Sequence, residues 1–116
     1  MNIELLRAYC LSKNGVTESF PFDEQTLVFK VMDKMFALVD LYGELSVNLK
    51  CDPEKALGLR ENYPSVKPGY HMNKKHWNTI CVDGSVSDKL IFQWIDDSYN
   101  LVCSKLPKSL RNLIDK

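Results

Sequence analysis

Residues able to do chemistry concentrate in one stretch, Lys67-Pro68-Gly69-Tyr70-His71-Met72-Asn73-Lys74-Lys75-His76-Trp77-Asn78-Thr79. It holds both histidines of the 116-residue chain, one of its two tryptophans and three lysines. His71 and His76 with Cys81 shortly after them invite a nucleophile and base. The spacing argues against it: on a strand from 76 to 82, His76 and Cys81 are an odd number of residues apart and face opposite sides. Cys81 then reads as a small buried hydrophobe. No H-x-x-x-H or C-x-x-C pair suggests a metal site, and the isolated glycines form no phosphate cradle. Asp96 and Asp97 are neighbours about 100° apart around a helix, a solvated face rather than an acid and base pair.

The same stretch suits binding better. Lys67, Lys74 and Lys75 can meet phosphates, while Tyr70, His71, His76 and Trp77 offer stacking faces. Asn73 and Asn78 can hydrogen-bond base edges or phosphates. Against this stands a structural reading, in which Tyr70 and Trp77 anchor a turn to the core, the lysines solvate it and the asparagines complete turns.

The elements that must position this stretch follow from periodicity. Asn2 caps a helix over about 2–13 with Ile3, Leu6 and Cys10 on one face, stopped at Asn14-Gly15. Val16 to Phe22 reads as an extended connector in which Phe20 and Phe22 flank Pro21 and anchor to the core. From Thr26 the period becomes two, with Leu27, Phe29 and Val31 on one side. After a break at Asp33-Lys34, Met35 to Tyr42 forms a second strand, and Leu45 to Lys50 alternates so that one face meets a core and the other water. Asp52-Pro53 starts a helix to about Asn62, with the carboxylate as cap. His76 to Val82 makes a fourth strand. Ser87 caps the longest helix, about 87–105, whose stripe of Leu90, Ile91, Trp94, Ile95, Ser98, Leu101 and Val102 should lie across the sheet. After Pro107 a basic terminal helix turns Leu110, Leu113 and Ile114 inward. The sum is an α+β fold, an antiparallel meander with helices packed on one face.

At 116 residues and 45% hydrophobic, the chain is one domain's worth, 1–116. Fifteen basic and fifteen acidic residues cancel, so no global basic field advertises nucleic-acid binding. The charge is nevertheless uneven, because residues 62–82 carry three lysines and no acid, and the terminal segment from Lys105 is again basic. Cys10, Cys51, Cys81 and Cys103 lie far apart, and Met1 to Leu5 has no signal-peptide pattern, which points to free thiols in a reducing cytoplasm. No apolar run approaches the roughly 20 residues of a membrane span.

Val66 to Thr79 resembles the signature of the MmcQ/YjbR family of small bacterial proteins. The resemblance extends to Phe20-Pro21-Phe22, to Lys34-Met35-Phe36-Ala37, to Leu49-Lys50-Cys51 with Pro53 after it, and to the Leu90–Val102 helix. It implies a CyaY-like (frataxin-like) sandwich and a DNA-binding role through a double-wing motif. Lys67 through Asn78 match the signature position by position. The chain departs from the family pattern at Asp23, where glycine often follows the F-P-F connector, and at Met32-Asp33, where the hairpin often has glycines; an acid at each point makes a poorer phosphate binder. The resulting expectation is a non-enzymatic DNA-binding or regulatory protein that uses the 67–78 surface weakly and salt-sensitively, with no metal and no cofactor. The alternative is a protein-interaction module of chaperone-like or frataxin-like kind, with no nucleic-acid role.

Overall fold

The computed structural model describes residues 1–70 and 72–114. The roles expected of His71, and of Asp115 and Lys116 in the terminal helix, lie outside the described residues. Asn2 caps α1 (Ile3–Leu11), its side chain accepting from the Leu5 N–H at 2.9 Å. Strands β1 (Val16–Ser19), β2 (Thr26–Val31), β3 (Lys34–Asp40) and β4 (Ser46–Lys50) then pair antiparallel in sequence order. Next come α2 (Pro53–Asn62), β5 (Val66–Pro68) and β6 (Trp77–Cys81). The chain ends in α3 (Asp88–Ser104) and α4 (Lys108–Ile114). The sheet order β1-β2-β3-β4-β6-β5 puts β6 against β4 and leaves β5 at the edge.

The meander is as expected, but the sheet has two further strands. Val16–Ser19 is an edge strand rather than a connector, held to α1 by Arg7, whose Nε and Nη2 both donate to the Glu18 carboxylate. Phe20 and Phe22, expected as core anchors, are exposed instead, Phe22 at 64%. The chain leaves the sheet edge at Ser19, so neither ring has a layer to enter. Leu113 is likewise exposed, and α4 buries Ile114. Asp52 stands at the start of α2, but its carboxylate makes no capping bond.

One face of the sheet carries the core. Leu27, Phe29, Val39, Val47 and Ile80 meet Ile91, Ile95 and Val102 of α3. Burial of each such side chain is worth about 1.5–3 kcal/mol before the entropy of ordering it. Between β2 and β3 the register shifts, since Phe29 faces Ala37 while Lys30 faces Met35, so Phe36 is an extra residue. That bulge explains the one polar residue in the α3 stripe. Ser98 Oγ donates to the Phe36 carbonyl at 2.6 Å and accepts from the Lys50 N–H at 2.9 Å, fixing the end of β4 to the helix.

No described helix covers the other face. A small cluster of Val28, Leu38 and Trp77 lies there, with Met35 and Met72 packed against it. Met72 belongs to the segment between β5 and β6, which crosses this face. No described helix is long and apolar enough to cross a membrane.

Candidate nucleic-acid interface

The β5–β6 segment is built from the backbone outward. Gly69 donates its N–H to the Trp77 carbonyl at 2.9 Å, closing the two ends, and a β-carbon at Gly69 would stand 2.7 Å from the Trp77 Cβ. Asn73 organises the tip: its side chain accepts from the Lys75 N–H at 2.9 Å, and its carbonyl accepts from the N–H groups of His76 and Trp77. The His76 carbonyl in turn accepts from the Cys51 N–H at 2.7 Å, which holds His76 beside the end of β4.

The second support comes from α2, and sequence reasoning missed it. Arg60 donates Nε to the Asn78 Oδ1 at 2.6 Å, and its Nη2 reaches the carbonyls of Lys74 and Trp77. Asn78 also donates to the Ala56 carbonyl at 3.2 Å. Nothing in the local pattern around Arg60 marks it, because its partners lie 14 to 18 residues along the chain.

These contacts sort the expected site residues. Asn78 is 1% exposed, so its side chain meets no outside ligand in this conformation, and Trp77, 7% exposed, offers no open stacking face. Asn78 shares a strand face with Ile80. Tyr70, Asn73, Lys74, Lys75 and Lys67 are exposed, and His76 is half-buried. Lys67 and Lys74 also donate to main-chain carbonyls, those of Pro64 and Gly69. Both line a groove that contains the acids Asp40 and Glu44, a poor setting for a phosphate.

A more basic groove, which no local pattern announces, opens at the opposite end of the sheet, where the open face meets the end of α3. Lys34, Lys50 and Lys105 line it together with Met35, Trp77, Val102 and Leu106, and no carboxylate among the described residues does. An adjoining groove brings His76 next to Lys50 and Lys105, with Asp52 as its one acid. Lys105, from the second basic segment of the sequence, lines both grooves. Lys108 and Arg111 sit on α4, whose Ile114 carbonyl is held by Asn14 beside the turn from α1 into β1.

The catalytic pairing of His76 with Cys81 does not form, since the two residues line different grooves. Asp96 instead receives Tyr9 and Lys13, and Asp97 receives Lys55 and Gln93. The four cysteines carry no disulfide. Burial pushes the Cys10 thiol up to about 12. At Asp23 the Gln25 backbone N–H, followed by hydrogen bonds from Thr26, holds the carboxyl below the ordinary range.

The family model described as YjbR matches residues 11–101 of the chain. The Escherichia coli (strain K12) protein named "Uncharacterized protein YjbR" is 37% identical over 115 residues, 98% of either chain. "Uncharacterized protein YbdF" of Escherichia coli O157:H7 is 46% identical over 90 residues, covering 77% of this chain and 74% of that one. Among solved structures, the Deinococcus radiodurans protein DR2400 superposes with a TM-score of 0.92 at 41% identity, covering 98% of this chain and 88% of its own. A Pseudomonas syringae protein does so with a TM-score of 0.76 at 29% identity, over 87% of this chain and 98% of its own.

Proposed function

The chain belongs to the YjbR family, and for this member we propose a non-enzymatic protein that binds the nucleic-acid backbone at the basic end of its open sheet face. The observation that carries the reading is the convergence of Lys34, Lys50 and Lys105 on one groove that no carboxylate among the described residues lines. Three elements supply them: the start of β3, the end of β4 and the residue that ends α3. His76 extends this surface through the adjoining groove, Trp77 borders it, and Asn73 and Lys75 stand exposed in the loop just before them. His76 offers a stacking face and Asn73 an amide, while the lysines neutralise phosphates.

Duplex DNA is the test ligand. Four phosphate contacts, from Lys34, Lys50, Lys75 and Lys105, give a log–log salt slope of about −3 to −4. Fluorescence anisotropy with a mixed-sequence duplex at low salt should show that affinity falling with salt. A Lys50→Ala/Lys105→Ala variant should lose most of it, and a Lys67→Ala/Lys74→Ala variant far less. Absence of binding at low salt, or greater damage from the second variant, overturns the proposal.

One observation favours a second reading, that of a protein-interaction module. Phe20 and Phe22, two residues apart in sequence, are both exposed just after the edge strand β1. That reading requires a protein partner whose affinity is insensitive to salt and is lost on Phe20→Ser/Phe22→Ser.

A further inference from the structure

The acidic end of the same face has its own pocket. A groove of about 470 Å³ lies between Tyr42 and Tyr70, with Leu38 and Asn48 in its floor and Asp23 and Asp40 in its walls. Its volume is in the range of small-molecule sites. We propose that it binds a small organic cation, an ammonium or guanidinium group on a compact apolar body that also carries an oxygen acceptor.

Asn48 is the first ground. It is 8% exposed and lines the groove on both sides of Tyr70. Thr79 Oγ1 accepts from the Tyr70 N–H and donates to Asn48 Oδ1, which fixes the orientation of the amide. The Asn48 Nδ2 is then left with no hydrogen-bond partner among the described residues. Ser65 Oγ is the one fully buried side-chain polar atom without a partner among the described residues, so the Asn48 Nδ2 stays open to the groove it lines, where a ligand oxygen can accept from it.

Charge is the second ground. The groove is lined by two carboxylates and, among the described residues, by no lysine or arginine. Asp40 uses Oδ1 to accept from the Tyr42 N–H at 3.0 Å, and Oδ2 has no partner among the described residues. Asp23 spends Oδ1 on the N–H groups of Gln25 and Thr26, while its Oδ2 has only a 3.5 Å contact with the Thr26 hydroxyl. Each acid is therefore held in place with one oxygen to offer.

The rim is the third ground. Phe22, Tyr42 and Tyr70 are 64%, 73% and 66% exposed, and all three line the groove. Aromatic rings and carboxylates lining one groove attract a cation and disfavour a phosphate. None of these residues belongs to the basic surface, so the inference stands apart from the nucleic-acid reading.

The probes are N-acetyl-arginine methylamide and its uncharged citrulline counterpart, which keeps the shape and the carbonyl. In amide-resolved NMR titrations of the full chain, the arginine compound should shift Asp40, Tyr42, Asn48 and Tyr70. The citrulline compound should bind about tenfold more weakly, as expected for loss of a charge-assisted hydrogen bond. Asp40→Asn keeps the acceptor for the Tyr42 N–H and should weaken the arginine compound by a similar factor, with Tyr42→Ala as a second variant on an exposed ring. Equal binding of the two compounds overturns the proposal, as does the absence of groove shifts up to about 10 mM, beyond the millimolar end of useful affinity. Binding of an alanine pentapeptide with a central arginine, without binding of the single-residue compound, overturns the small-molecule assignment and gives the groove to a polypeptide.

Discussion

Gly69 is where one missing atom decides the shape of the interface. Its β-carbon would stand 2.7 Å from the Trp77 Cβ and 2.9 Å from the Trp77 carbonyl oxygen, and neither moves without the β6 backbone. Gly69→Ala should therefore cost about 2 kcal/mol through overpacking, read in urea unfolding, and an unchanged midpoint would show that the segment relaxes freely. The two asparagines nearest this contact illustrate what single residues disclose. Asn78 stands two residues before Ile80 and shares its buried face, whereas the sequence, with Cys81 read as buried, leaves Asn78 on the outer one. Asn48 sits between Val47 and Leu49 on the face expected to meet water, yet it is buried. Its burial depends on a segment more than 20 residues further along the chain folding back over it, and no local pattern carries that information.

Among the elements, α2 does most to hold the candidate interface, although its hydrophobic pattern is weak. Arg60 reaches three partners in the β5–β6 segment with two nitrogens of a rigid fork. Lysine has a single ammonium and cannot reproduce that geometry. Arg60→Lys should lower stability by about 1–3 kcal/mol, because the Asn78 carbonyl oxygen is left buried without its donor. It should also speed tryptic cleavage after Lys74 and Lys75; an unchanged cleavage rate would mean that Arg60 does not restrain the loop. The long elements were readable because their periods are strong, as with the α3 stripe and the apolar run that opens at Met35. The short strands β1 and β5, Val-Thr-Glu-Ser and Val-Lys-Pro, each contain one apolar β-former and become strands only through their partners.

At the scale of the whole molecule, zero net charge conceals a separation of charge across one sheet face. Strand β3 begins at Lys34 and ends at Asp40, so its ends lie about 20 Å apart. Antiparallel pairing sets Lys50 opposite Trp77 at the first end and Ser46 opposite Asp40 at the other. Charge counted along the sequence could not show this, because Lys34 and Lys50 lie in a stretch whose acids outnumber its bases. Only the register of the sheet and the course of α3 bring them to Lys105. The resemblance drawn from the Val66–Thr79 signature marked the right family, and within that signature the buried Trp77 and Asn78 hold the structure while Lys67, Tyr70, Asn73, Lys74 and Lys75 are exposed. The central claim is that the basic end of this face, and not its acidic groove, meets nucleic acid. Titrating nitrogen-15-labelled protein with a short duplex at low salt tests it most directly. The expected result is amide shifts at Lys34, Lys50, His76 and Lys105 with Asp40, Tyr42 and Asn48 unmoved; shifts centred on Asp40 and Tyr42, or none anywhere, would contradict it.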